Sequence, residues 1–426
     1  MSILIKNGVI ADGEGIFIEN GSILVDYGRI QKIAEHIDTD GVDEVIDAGG
    51  RLIMPGLTNP HHHLYSALAT GLAPKGPTPD FVHILENLWW HLDKVMDPEM
   101  VYASAMAGLM ESVRSGVTMI FDHHASMSYV RGSLDTMAQA FKVSGVRGLL
   151  CFEASDRTGE KNTEEHILEN VEFFKKNRIG AEIQGAFGLH ANMTLCERSM
   201  EKIAEAKPAD MAIHAHVAED KADAEYCRKL GYKGALDRLD KFCLVYDRSI
   251  IIHAIHLDDS EYDIIKEKKP IVVNNSESNA NNNVGKMNRE RIGDFVLGTD
   301  GMTGDMIASL RSHFLLDQNP GGFAGISDRF FRQTYRAKKT FFPNNRGLFT
   351  NSQADIAIFD YIPQTPINAD NLLGHIIFGA KKGNAWLTMC DGRILWHDGE
   401  FKLFDQNEVM RDIQKHAKRL HNAFNA

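Results

Sequence analysis

The stretch "AEIQGAFGLHANMTLCERSMEKIAEAKPADMAIHAHVAED", residues 181–220, contains the unit from which the fold can be read. A short apolar run, "AEIQGAFGLHA", reads as a buried strand. "CERSMEKIAEAK" follows with apolar residues at helical spacing. "DMAIHAHVAED" is a second apolar run. Two strands joined through a helix lie parallel, because so long a connection crosses over the sheet. Both runs end in ionisable residues: His190 on the first, and His214, His216 and Glu219 on the second.

The same unit recurs on either side. Upstream, "RLIMPGLTNPHHHL", "VTMIFDHHAS" and "VRGLLCFEASD" read as strands, with "DPEMVYASAMAGLMESVRSG", "SLDTMAQAFKVSG" and "EEHILENVEFFKKN" as helices. Downstream, "SIIIHAIHLDDSE", "PIVVNNSESNANN" and "RIGDFVLGTDG" complete eight strands. Eight βα repeats predict a (β/α)8 TIM-like barrel over residues 57–342. An open doubly wound sheet is the weaker alternative, since no G-x-G-x-x-G follows the first strand. The two ends differ in texture. Residues 1–56 and 343–405 show short alternating runs separated by Asn-Gly and Gly-rich turns, such as "ILIKNGVIAD" and "WLTMCDGRILWHDGEF". They predict one small composite β-sandwich domain built from both termini. Residues 406–426 predict a C-terminal helix.

Composition narrows the partners. The chain has 426 residues, 43% of them hydrophobic, and a formal net charge of −12. Such a charge argues against nucleic acid, whose phosphates need clustered Lys and Arg. The one basic run, Lys266–Lys269, reads as a solvated helix end. Five Cys without a C-x-x-C argue for reduced thiols and a cytoplasmic protein. No signal peptide is evident in "MSILIKNGVIADGEG", and no apolar run reaches the ~20 residues of a membrane span.

In a parallel barrel the C-terminal ends of all strands converge at one mouth. Here they bring His61, His62 and His63, then Asp122, His123 and His124, then Glu153 and Asp156, His190, the His214–Glu219 set, His253 and His256, Asn274, Asn275 and Asn279, and finally Asp300. Side chains alternate across a strand, so His61 and His63 share a face while His62 points away. With His216 and Asp300 they form a mononuclear metal site with one position left open. Such a donor set suits Zn2+, with Fe2+ or Mn2+ as alternatives. No Lys ends the fourth strand, so there is no candidate for a carbamylated bridge between two metals. His214 is either a support for these ligands or a packed barrel residue.

The pattern resembles the amidohydrolase superfamily, on "PGLTNPHHH", "HAHVAED", "HAIH" and "LGTDG". The pairing of His216-x-x-Glu219 with a lone Asp300 is similar to its deaminase and triazine-hydrolase branch. "FDHHAS", "FGLHA", "WWHLDKV", "SESNANNNVG" and "GHIIFG" resemble the SsnA group of aminohydrolases. One departure is Asn274-Asn275-Ser276, where relatives carry His-Asn-Pro or similar. The resemblance implies a metal-dependent aminohydrolase acting on carbon–nitrogen bonds other than peptide bonds. Its substrate would be a small purine- or pterin-like heterocycle, and its assembly a homodimer or larger.

In this reading a metal-bound hydroxide attacks an amine-bearing ring carbon. Glu219 is the general acid/base, Asp300 both ligand and proton acceptor, and His253 orients the hydroxide or stabilises developing charge. His190, Glu153, His123, Trp89 and Asn279 are candidate substrate contacts. His256 reads as structural. The Pro/Gly-rich "GLAPKGPTPD" with Trp89 and Trp90 reads equally as an aromatic lid or as a long loop packed on the barrel. Two alternatives stand beside deamination. One is a hydrolase on the same site that opens a cyclic amide or displaces another leaving group. The other is a silent scaffold, from which loss of ligands or of the acid/base residue would be expected.

Overall fold

Near-continuous runs of Val, Ile, Leu and Phe make strands buried on both faces, as a barrel requires. The computed structural model describes residues 1–178, 180–316, 325–326, 329–380 and 384–426. Its barrel strands are Leu57–His62, Val117–His124, Arg147–Ala154, Ile183–Gly185 with Phe187–Leu189, Ile213–Val217, Ile250–His253, Ile271–Asn274 and Val296–Leu297. They pair in parallel in sequence order. The fourth is broken at Ala186, its first half pairing only with the third strand.

The last strand is only two residues long, and the barrel closes beyond it. The amides of Thr299 and Asp300 donate to the His61 carbonyl at 3.1 Å, and the His63 amide to the Asp300 carbonyl at 3.4 Å. His62 and Asp300 form the bridging pair. Gly298 permits this approach: a Cβ there would stand 2.5 Å from Asn275 Oδ1 and 3.1 Å from His61 Cβ.

Three readings of single elements are corrected. "RLIMPGLTNPHHHL" is two strands: Leu52–Pro55 belongs to the terminal sheet, and the barrel begins at Leu57. "PIVVNNSESNANN" is strand only to Asn274; Ser276–Asn281 is helical, because Ser and Asn favour turns and helix starts over strand interiors. "RIGDFVLGTDG" holds only Val296–Leu297 as strand.

Both termini build a separate nine-stranded sheet. The Ile3–Ala11 strand pairs with Phe17–Asp26, Glu44–Asp47 and Leu52–Pro55, and the last of these pairs with Ile356–Phe359 from the C-terminal part. The sheet curls, since Ile30 bonds to Ser352 and Asn351 ahead of that C-terminal strand. Ile3, Ile5, Ile23, Ile356, Ile358 and Leu387 fill its core. The helix Gln406–Asn425 packs on Pro98–Arg114, burying Ile413, Leu420 and Phe424.

Barrel and sheet are joined by a buried charge cluster. Arg147, at the start of the third barrel strand, meets Asp355 at 3.2 Å and Asp391 at 2.9 Å. Asn345 also donates to Asp355. Burial alone would raise the Asp355 carboxyl, but Arg147 outweighs it and holds the group below the usual carboxylate range. Removing one partner of a buried pair leaves an uncompensated charge, at a cost of about 3–5 kcal/mol. Arg147→Met is therefore expected to lower unfolding stability by that amount at neutral pH in urea titrations. Asp355 has a depressed folded-state pKa, so its contribution is complete above about pH 4 and is lost as pH falls. The gap between wild type and variant should narrow in acid.

Candidate metal centre and active site

The mouth is assembled by strand ends. His61 and His63 leave the first strand, His216 is the penultimate residue of the fifth, and Asp300 lies at the closing seam. Ligand-capable atoms of these four residues lie within 4.8 Å of one another. His63 Nε2 is 3.2 Å from His216 Nε2 and 3.0 Å from Asp300 Oδ1, and His61 Nε2 is 3.6 Å from the same oxygen.

The other ring nitrogens fix how the imidazoles are turned. His63 Nδ1–H donates to the His123 carbonyl at 2.7 Å, and His216 Nδ1–H to the His190 carbonyl at 3.0 Å. His61 Nδ1 lies 2.9 Å from His214 Nε2. Each ring thus turns Nε2 inward, the arrangement in which partners behind a ligand orient it toward an ion. His61 Nε2 is buried and has no hydrogen-bond partner. Three lone pairs and a carboxylate facing one point, one of them orphaned, fit a divalent cation of the zinc type.

Electrostatics agree with that donor set. Burial holds His61 and His216 well below the ordinary imidazole range, so both are neutral. Burial also pulls on His63, but Asp300 and Glu153 outweigh it and raise the ring to about 9. Its proton occupies the place a cation would take. Burial opposes ionisation of Asp300, yet His61 and His63 hold its carboxyl well below the usual range. Asp300 adopts φ 56° and His253 φ 69°. For non-glycine residues such backbone is costly and clusters at functional sites.

A second group adjoins the first. Glu219 Oε2 is 3.3 Å from His253 Nε2, which is 3.6 Å from Asp300 Oδ2. Ser278 Oγ donates to that same Asp300 oxygen at 2.7 Å. Asn282 Nδ2 lies 3.4 Å from Glu219 Oε1. Burial, and then Asp300, push the Glu219 carboxyl well above the usual range. His256 stands apart, its Nε2 on the Val284 carbonyl at 2.7 Å. His62 also faces away, with Nδ1 on the Asp300 carbonyl at 2.6 Å and near Thr299 Oγ1.

His63, His216, Glu219, Ser278, Asn282 and Asp300 line a pocket of about 840 Å3, counting its mouth, with His61 and His253 behind them. Of the predicted contacts, His190, Glu153 and Trp89 line it. Trp90 lines it too, edge-on to His190 at 6.0 Å between ring centres. The two Trp residues both wall the pocket and pack on the barrel. His123 and Asn279 do not line it. His123 lies behind His63, between Glu153 at 3.4 Å and the His214 carbonyl at 3.1 Å. Asn279 accepts from His253 Nδ1–H at 2.7 Å and donates to Asn274 Oδ1 at 3.1 Å.

Sequence reasoning missed Asp93 and Arg157. Arg157 bridges Glu153 and Asp93, each at 2.5 Å, all three buried beside Tyr65 and Trp90. Burial raises the Asp93 carboxyl to about 7 even against Arg157. Arg157 could have been found as a further ionisable residue four positions past Glu153. Asp93 could not, since it lies in the connection after the first strand.

Comparison with known proteins fits this geometry. The chain matches the amidohydrolase family model over residues 52–395. It is 27% identical over 410 residues to a 5-methylthioadenosine/S-adenosylhomocysteine deaminase of Thermococcus sibiricus, covering 93% of this chain and 94% of that one. Its fold superposes on an adenosine deaminase from Xanthomonas campestris with bound zinc, with TM-score 0.84, 22% identity and coverage of 99% and 98%. It also superposes on atrazine chlorohydrolase from Arthrobacter aurescens complexed with zinc, with TM-score 0.81, 18% identity and coverage of 97% and 100%.

If the four residues hold one ion, His216→Ala should abolish stoichiometric zinc uptake measured by elemental analysis. His62→Gln should retain the ion and lose only thermal stability. Equal loss in both would remove the distinction drawn between inward- and outward-facing His. With its barrel, inward-facing His/Asp cluster and family match on one chain, this protein belongs to the amidohydrolase family and is a hydrolase of carbon–nitrogen bonds.

Proposed function

We propose that this protein is a metal-dependent deaminase of an aminated aromatic heterocycle, purine- or pterin-like, with zinc in the His61, His63, His216 and Asp300 site. The observation that carries this reading is the Glu219–His253–Asp300 group, spaced at 3.3 and 3.6 Å beside the three inward imidazoles. The deaminase name of the Thermococcus relative supports a 6-aminopurine nucleoside as the first substrate to try.

When bound, the ion supplies a water acidified to near neutral pH. Deamination replaces a ring C–NH2 by C=O and releases ammonia. It needs a proton delivered to a ring nitrogen and another to the departing amine. Burial and Asp300 push the Glu219 carboxyl well above its usual range and so favour its protonated form, which suits it to be the donor. Asp300 is ionised and accepts. His253 is kept neutral chiefly by burial, and its Nδ1–H is held by Asn279. Its Nε2 therefore lies as an acceptor between Glu219 Oε2 and Asp300 Oδ2, where it would orient the attacking oxygen. Trp89 and Trp90 offer faces to a flat ring.

Zinc-loaded protein should release ammonia from one or more of adenosine, 5′-methylthioadenosine, guanine, cytosine and aminopterins. Glu219→Gln should lower kcat by about 10²–10⁴-fold while keeping its metal. Silence across the panel from metal-loaded protein would contradict deamination and favour cyclic-amide opening. Because the donor form of Glu219 is lost as pH rises through its elevated pKa, kcat/KM should decline on the alkaline side. Asn282→Ala removes a donor that favours the ionised carboxylate, so it should move that decline to higher pH.

A further inference from the structure

At the opposite end of the barrel from the mouth lies a second cavity, of about 740 Å3 counting its opening. It sits where the terminal sheet meets the start of the first barrel strand. Leu57, Phe330, Phe331 and Leu348 give it apolar walls. Lys338, on the helix Thr334–Phe341, also lines it. Lys338 is 5% exposed and makes no hydrogen bond or ion pair among the described residues.

The side chain is buried while its ammonium opens onto the cavity, so a direct polar partner for it has to come from the cavity side. The neighbouring anion, Asp355, favours its charge from a distance but makes no direct bond to it. Asp355 is already engaged by Arg147, Asn345 and the Asp391 amide. Asp12, on another wall, spends one carboxylate oxygen on the amides of Glu14, Gly15 and Ile16. Arg346 at the rim is exposed.

We propose that this cavity binds a small monocarboxylate with a flat or branched apolar body, its carboxylate paired with Lys338 and its body against the Phe and Leu walls. A single buried cation matches a single negative charge. The apolar walls call for a hydrocarbon body that inorganic phosphate lacks. Burial lowers the Lys338 ammonium to about 8, a cost that an anion at its side would relieve. The site is separate from the catalytic mouth and does not rest on the proposed reaction.

The test is calorimetric titration of the zinc-loaded protein with phenylacetate and benzoate, with benzyl alcohol and inorganic phosphate as controls. The carboxylates should bind saturably and the controls should not. Lys338→Met keeps the stem and removes the charge, and should weaken carboxylate binding about ten- to a hundredfold with turnover unchanged. In the wild type, phenylacetate should also protect Lys338 from acetylation, read by peptide mass. Absence of saturable carboxylate binding would overturn the proposal. So would undiminished binding in Lys338→Met, or acetylation of Lys338 unaffected by phenylacetate.

Discussion

The contact between His61–His63 and Thr299–Asp300 is the constraint on which the rest of the structure depends. A two-residue last strand cannot close a barrel by itself. Closure is made instead by backbone bonds between residues that also supply three of the four inward donors. The seam and the candidate metal centre are the same piece of chain. An ion there would hold the first and eighth strands together through side chains, where the backbone ladder is thinnest. The left-handed backbone of Asp300 belongs to this arrangement, and its cost is borne where the carboxylate meets His61 and His63.

The mouth separates two carboxylates by environment. Asp300, among imidazoles, is held ionised; Glu219, buried and facing that charge, is pushed toward its protonated form. Groups of one type with opposed tendencies within one pocket are how a fold runs acid and base steps together. His253 stands between them. Its orientation is secured from behind by Asn279, which Asn274 holds in turn. The departure at Asn274-Asn275-Ser276 therefore has a visible consequence: Asn274 serves the support of His253 and makes no contact with the pocket.

Much of the fold was legible because barrel strands are apolar runs and their ends are polar. Alternation separated His61 and His63 from His62, and the structure turns them as that period requires. What failed to read was local. Gly56 lets one apolar run serve two sheets, so counting the whole run as a single barrel strand merged two elements. Ser and Asn after the seventh strand extended it on paper, whereas their side chains favour the helical turn observed. The positions of His123 and Asn279 behind the pocket depend on the radial direction of a side chain at a strand end, which spacing leaves open. Asp93 caps the helical stretch over residues 81–92, whose π-helical middle at Leu85–Trp89 departs from the ordinary helical period.

The most direct test is zinc K-edge X-ray absorption on the reconstituted protein. One zinc per chain is expected, with an inner shell of three imidazole nitrogens and carboxylate oxygen, and no heavy scatterer nearby. A sulfur ligand, a metal–metal distance, or an inner shell dominated by oxygen would contradict it, because none can be built from His61, His63, His216 and Asp300 alone.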